Sequence, residues 1–210
     1  SIRTAEKEAK SIASTAAAPS ATYRALLLRV AIIVFLTTAV SSLIFQATTF
    51  ALPKIFLERL EGLAMELAAW FGNTALSGQG EVASVIGFLA FIVFAIASMA
   101  QLVVGSMLDK FGPRRVFMTV AIIQIIFFAT MPGLTDAVAL AVALGFMLGA
   151  FGQIPINDYM IGKTASGAYR ARIFGVRYVV GFTVLAATLP LIAFVYKNWG
   201  FDTLFYILAT

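Results

Sequence analysis

Five stretches of this chain stay apolar for close to the roughly 20 residues that a membrane-crossing helix needs. They run over about 30–52, 82–108, 116–134, 137–156 and 173–196, the third borrowing Pro132–Leu134 to reach full length. A sixth apolar run covers 203–210, too short to cross a bilayer. Hydrocarbon offers no water to the backbone, so a spanning segment must close its own hydrogen bonds. Composition agrees: hydrophobic residues are 61% and charged residues 12%, against roughly 45–50% and about 25% in soluble domains. A soluble globule of this size cannot hide so much apolar surface. The expected fold is an all-α membrane protein, a bundle of six transmembrane helices with the sixth truncated. The chain starts without Met and stops inside an apolar run, so it reads as a piece of a longer protein.

Two residue types are missing. The chain has no Cys and no His. Thiolate metal sites, disulfides and cysteine nucleophiles are excluded, together with the commonest general base and metal ligand. No catalytic residue, metal or cofactor is expected, and the chain does not read as an enzyme.

The net charge of +5 points to nucleic acid only if the cations share one patch. They alternate with the spans instead. Arg3, Lys7, Lys10, Arg24 and Arg29 precede the first span. Lys110, Arg114 and Arg115 follow the second, and Lys163, Arg170 and Arg172 follow the fourth. Arg177 lies one turn into the fifth. Lys54, Arg59 and Lys197 stand on the opposite side, so twelve of the 15 basic residues share one face. By the positive-inside rule that face is cytoplasmic, which puts residue 1 in the cytoplasm and the multi-pass chain in a cytoplasmic (inner or plasma) membrane. The basic excess marks topology and implies no nucleic-acid partner.

Two segments lie outside the spans. Residues 1–29 mix Lys, Glu, Ser, Thr and Ala and read as a cytoplasmic linker. In Pro53–Glu81, Phe56, Leu60, Leu63, Leu67 and Trp70 recur at helical spacing, with Lys54, Glu58 and Glu61 on another face. That pattern fits an amphipathic helix at the outer interface, or an extension of the first span kinked at Pro53. A Gly/Ser-rich turn over Asn73–Gly80 leads into the second span.

The loop after the second span reads Gly105-Ser-Met-Leu-Asp109-Lys110-Phe-Gly112-Pro-Arg114-Arg115. Gly105 permits close approach of a neighbouring backbone. Asp109 ends a helix and can accept hydrogen bonds or pair with a cation. Gly112-Pro113 makes a tight turn through positive φ, and two arginines restart the chain at headgroup level. This spacing resembles the signature loop of the major facilitator superfamily, Gly-x-x-x-Asp-(Arg/Lys)-x-Gly-x-(Arg/Lys)-(Arg/Lys), which joins the second and third helices of each six-helix half. Here too it joins the second and third spans; Pro113 departs from the family, which often has Arg there. The basic leading segment and the tail Asn157–Asp202 resemble the C-terminal half, making 30–210 its bundle and 1–29 the central linker. The resemblance implies an N-terminal half as partner and a cavity lined by this chain's first and fourth spans.

Polar side chains at membrane depth face protein or water. Thr38, Ser42, Gln46 and Thr49 fall on one face of the first span, and Gln153 and Asn157 repeat the arrangement on the fourth. These six are the substrate-binding candidates. Helix packing competes with that role at the Ser and Thr positions, and it is the preferred reading for Gly145 and Gly149. Gln101 and Gln124 are isolated and receive no role. Arg177, the one charge inside the five spans, either meets an anionic group or snorkels to the headgroups. Asp158, at the end of the fourth span, is expected to pair with Arg114 or Arg115 as a cytoplasmic latch, with a solvated carboxylate as the bland alternative. Asp158 and Arg177 are the gating or charge-pair candidates.

The resemblance implies a secondary transporter that moves a small solute by alternating access, with a coupling proton allowed. A non-transporting receptor or scaffold on the same fold is the alternative. No Asp or Glu lies within the five spans. A proton-coupling carboxylate on this chain therefore needs a helix end such as Asp158.

Overall fold

The computed structural model describes residues 21–71, 79–164 and 170–210. Most of the linker expected over 1–29, most of the turn expected over Asn73–Gly80, and the Arg170 and Arg172 side chains fall outside what it describes. Six helices follow in order: α1 (Ala21–Arg59), α2 (Glu61–Phe71), α3 (Gln79–Phe111), α4 (Pro113–Thr130), α5 (Asp136–Thr164) and α6 (Arg170–Ala209). Five of them are long and apolar enough to cross a membrane.

The helices outrun the apolar stretches that announce them. α1 has 39 residues, about 58 Å at 1.5 Å per residue, nearly twice a hydrocarbon core of about 30 Å. It takes in residues 21–29 and passes through Pro53. At Leu60 the chain bends, yet hydrogen bonding continues from Leu60 N–H to Phe56 O (2.9 Å) and from Ala64 N–H to Leu60 O (2.8 Å). Both readings of this segment therefore hold in part: α1 is extended past Pro53, and a separate short helix follows. α2 packs on the bundle through a buried stripe of Phe56, Leu60, Ala64 and Ala68. Trp70 alone of the expected apolar face is strongly exposed, at 76%.

Turn chemistry decides two breaks. Gly112 takes φ 80, a conformation that costs Gly nothing, and Pro113 then opens α4, where a missing N–H is no loss. α6 breaks at Gly200 (φ 77, ψ −178), and the helix resumes at once. The short final run thus folds back as its own helical piece.

The cationic face defines one end of the bundle, here called the basic end: Lys110, Arg114, Arg115 and Lys163 all stand exposed there. The opposite, mixed-charge end holds most of the core. Phe56, Phe128, Phe146 and Phe205 are fully buried there, with Leu52, Ile55, Met131 and Met147. Phe146 stacks on Phe128 (centroids 5.1 Å) and tilts against Phe205 (5.8 Å). A smaller cluster, Val104, Leu108, Val116, Val120 and Ile156, joins only α3, α4 and α5 near the basic end.

Polar fasteners reinforce the mixed-charge end. Arg59 at the end of α1 pairs with Asp202 beyond the Gly200 break, and Gly133 N–H also donates to Asp202 Oδ1 (3.3 Å). Tyr196 donates to Glu58 while Lys54 Nζ sits 3.9 Å above the Tyr196 ring. Asp136 caps α2 by accepting from Leu63 N–H (2.8 Å). A carboxylate on a helix N-terminus satisfies an orphan donor and meets the favourable end of the dipole. Gly62 makes room for it, since a Cβ there would lie 2.8 Å from Asp136 Oδ1.

Candidate functional site

α5 is the central post of the bundle, packed on α3 and α4 along one side and on α1 along another, while its contact with α6 is slight. Three glycines explain the tight side. A Cβ at Gly145 would overlap the Phe127 ring, one at Gly149 would overlap Gln124 Cγ, and one at Gly152 would lie 3.0 Å from Val104. These positions accept side chains of α4 and α3, which is the packing role expected of Gly145 and Gly149. Gly105 behaves otherwise: a Cβ there meets nothing within 4 Å among the described residues. The close approach expected at Gly105 is not made among the described residues: its neighbours Val104 and Leu108 enter the α3–α5 seam, while Leu102, Val103 and Ser106 are exposed.

Where α5 and α6 diverge, a cavity of about 290 Å³ opens between α1, α5 and α6 in the basic half of the bundle. α1 contributes Ser41, Ser42, Phe45 and Gln46, and α5 contributes Ala150, Gln153, Ile154 and Asn157. α6 completes the wall with Arg177, Tyr178, Gly181 and Phe182. Phe45 meets Phe151 edge-on (5.2 Å), and Phe151 touches Phe94 (6.2 Å), so aromatic packing across α1, α3 and α5 flanks the space.

The cavity gathers four of the six substrate-binding candidates, Ser42, Gln46, Gln153 and Asn157, and adds Ser41. Thr38 and Thr49 do not line it. The polar face of α1 thus borders the cavity only over its middle turns. Thr49 sits farther along α1, beside Ala47, Ala51 and Leu52, where the helices converge, and its hydroxyl is buried without a partner. Thr38 is buried a turn nearer the basic end. Ser41, Ser42, Gln46 and Asn157 make no side-chain hydrogen bond among the described residues, so their donors and acceptors remain for something else.

Gln153 is different, because it donates to Gln124 across the α4–α5 seam and both side chains are buried. Gln124 was given no role from sequence. An isolated amide carries no periodic signal, and its partner becomes visible only once α4 and α5 are in register. The remaining amide atoms, Gln124 Nε2 and Gln153 Oε1, are buried and unpaired, a costly arrangement.

Asp158 pairs with Arg177. The expected contact to Arg114 or Arg115 is corrected: both are exposed and make no ion pair among the described residues. The cause is the length of α5. The helix continues to Thr164, so Asp158 is an interior helical residue whose direction follows from helix phase, and it faces α6. Arg177 likewise does not simply snorkel; its side chain is 18% exposed and reaches across the α5–α6 divergence. In the signature loop, Asp109 is exposed and finds no partner among the described residues, while Lys110 Nζ lies 5.3 Å from the Phe111 ring.

The cavity thus presents amides, hydroxyls and one cation between three helices long and apolar enough to cross a membrane. The model of the major facilitator superfamily matches residues 35–210, and the chain belongs to that family. No curated protein and no solved structure matches the chain at a significant level. The family makes this a multi-pass membrane protein with a general role in transport, and it implies a small-molecule substrate.

Proposed function

We propose that this chain forms part of a secondary transporter that moves a small solute by alternating access, with the cavity between α1, α5 and α6 contributing to the solute site. One observation carries the reading. Polar side chains with no hydrogen-bond partner among the described residues, Ser41, Ser42, Gln46 and Asn157, converge on one space at membrane depth, where an unused polar group is expensive. Their cost is offset when a solute or its water occupies the cavity. The basic end faces the cytoplasm by the positive-inside bias, and a second half of the protein closes the remaining side. Asp158–Arg177 then spans two helices that must separate or slide as that end changes shape. A coupling proton, if one moves through this chain, has Asp158 as its carboxylate.

The test is solute flux in proteoliposomes containing the full-length protein. Gln46→Ala and Asn157→Ala are expected to lower flux about tenfold or more while leaving the melting temperature within a few degrees, since neither amide supports the fold. Unchanged flux in both variants defeats the site. Solute binding without any flux assigns the chain to the receptor alternative.

A further inference from the structure

We infer that the cavity takes solutes with one anionic group, a carboxylate or its chemical equivalent, on an apolar or aromatic body, and that Arg177 binds that group. The inference rests on the transport reading above and specifies the substrate class of the same cavity.

Among the described residues Arg177 is the one charged side chain on the cavity wall; the other polar groups there are amides, hydroxyls and a phenol. No carboxylate among the described residues lines the space, and the nearest one, Asp158, is engaged by Arg177, so nothing on the wall offers a cationic solute a partner. The guanidinium carries five N–H donors in a planar fork, yet among the described residues it makes one side-chain hydrogen bond, from Nη1 to Asp158 Oδ1. With the side chain 18% exposed, few of the remaining donors can be served by bulk water. A planar two-oxygen acceptor entering the cavity matches that free edge in the bidentate manner that distinguishes Arg from Lys.

Asp158 does not cancel this attraction. Its side chain is 47% exposed and stands off the cavity wall, where water and salt screen it. Asp158 takes one of the five guanidinium donors, and Arg177 itself lines the cavity. The body of the solute is specified by what surrounds Arg177. Tyr178 and Phe182 lie ring over ring (6.4 Å) on α6, Phe45 faces them from α1, and Gly181 leaves open space between, since a Cβ there meets nothing within 4 Å. Flat apolar walls around one cation suit an aromatic or short aliphatic acid.

The experiment uses the full-length protein in neutral detergent and reads its melting temperature against three isosteric probes: 3-phenylpropionate, 3-phenylpropanamide and 3-phenylpropylammonium. A ligand that binds only the folded state raises the midpoint with concentration. The carboxylate is expected to bind about tenfold or more tightly than the amide, a difference of about 1.4 kcal/mol, and the ammonium not at all. Arg177→Gln removes the preference, as does the Arg177→Gln/Asp158→Asn double variant, which leaves no unpaired carboxylate and guards against misfolding. Equal shifts by acid and amide, a preference that survives Arg177→Gln, or no shift with the carboxylate each overturn the inference. Stabilisation by phosphatidylglycerol and not by 3-phenylpropionate assigns Arg177 to a lipid headgroup and overturns it too. Gly181→Leu, which fills the cavity, separates the two levels. If the amide binds and Gly181→Leu abolishes that binding, the cavity remains a solute site and only its anion preference fails; if flux ignores Gly181→Leu, the transport reading itself fails.

Discussion

At the mixed-charge end, four phenylalanine rings, Phe56, Phe128, Phe146 and Phe205, are sealed between α1, α4, α5 and the piece after Gly200. At the basic end the same bundle buries only five aliphatic side chains together, all on α3, α4 and α5. α1 and α6 join the packing above and leave it below. Between Arg177 and Phe182 α6 buries nothing fully, and Thr188 is its first buried side chain among the described residues. The contrast shows where the fold spends its stability and where it keeps freedom. The end with the core also has the cross-helix fasteners Arg59–Asp202 and Asp136 on α2. The end without it has the cavity, the unpaired amides and one ion pair bridging helices that otherwise barely touch. Such a division suits a transporter, because a rigid end gives the moving end something to pivot on.

The largest blow to this contrast comes from Phe146→Ala. Removing a fully buried ring with two aromatic neighbours is expected to cost about 3–5 kcal/mol, whereas Tyr178→Ala, at an exposed site of the basic half, stays within about 0.5 kcal/mol. Thermal melts of the two variants compare the ends directly; equal losses would erase the distinction. A finer cut uses glycines. Gly149→Ala forces a methyl group into Gln124 and is expected to lose about 1–3 kcal/mol, while Gly181→Ala has room and leaves the melt unchanged. The smallest effect separates the two acids. Asp202 holds both the Arg59 side chain and the Gly133 N–H, whereas Asp158 holds Arg177 alone. Asp202→Asn should therefore destabilise more than Asp158→Asn, each by about 1 kcal/mol or less, because the carboxylates are about half exposed. The reverse order in a denaturation series would show that the basic end carries a fastener of its own.

The spans were legible because period and length suffice for them: a bilayer sorts residues by hydrophobicity alone. Gly112 was legible too, as its neighbour Pro113 leaves few ways to turn. The helix ends were not, since α1 continues beyond its apolar stretch through Pro53 and α5 continues past Ile156 to Thr164, where apolar content gives no stop signal. That shortfall misdirected Asp158. Placed at a helix end, it looked toward the arginines of the loop; placed inside a longer helix, it faces Arg177. The Gln124–Gln153 pair and the Asp136 cap on α2 were illegible for another reason. Each joins residues far apart in the chain, and only the lateral register of the helices brings them together.

α5 carries a consequence for how this protein tolerates change. Gly145, Gly149 and Gly152 face α3 and α4, while Ala150, Gln153, Ile154 and Asn157 face the cavity, and the two sets lie roughly a third of a turn apart. On the proposed solute site, selection for abundance and selection for cargo read different stripes of one rod. A drift in cargo preference can proceed along one stripe without disturbing the other, except at Gln153, whose amide belongs to both.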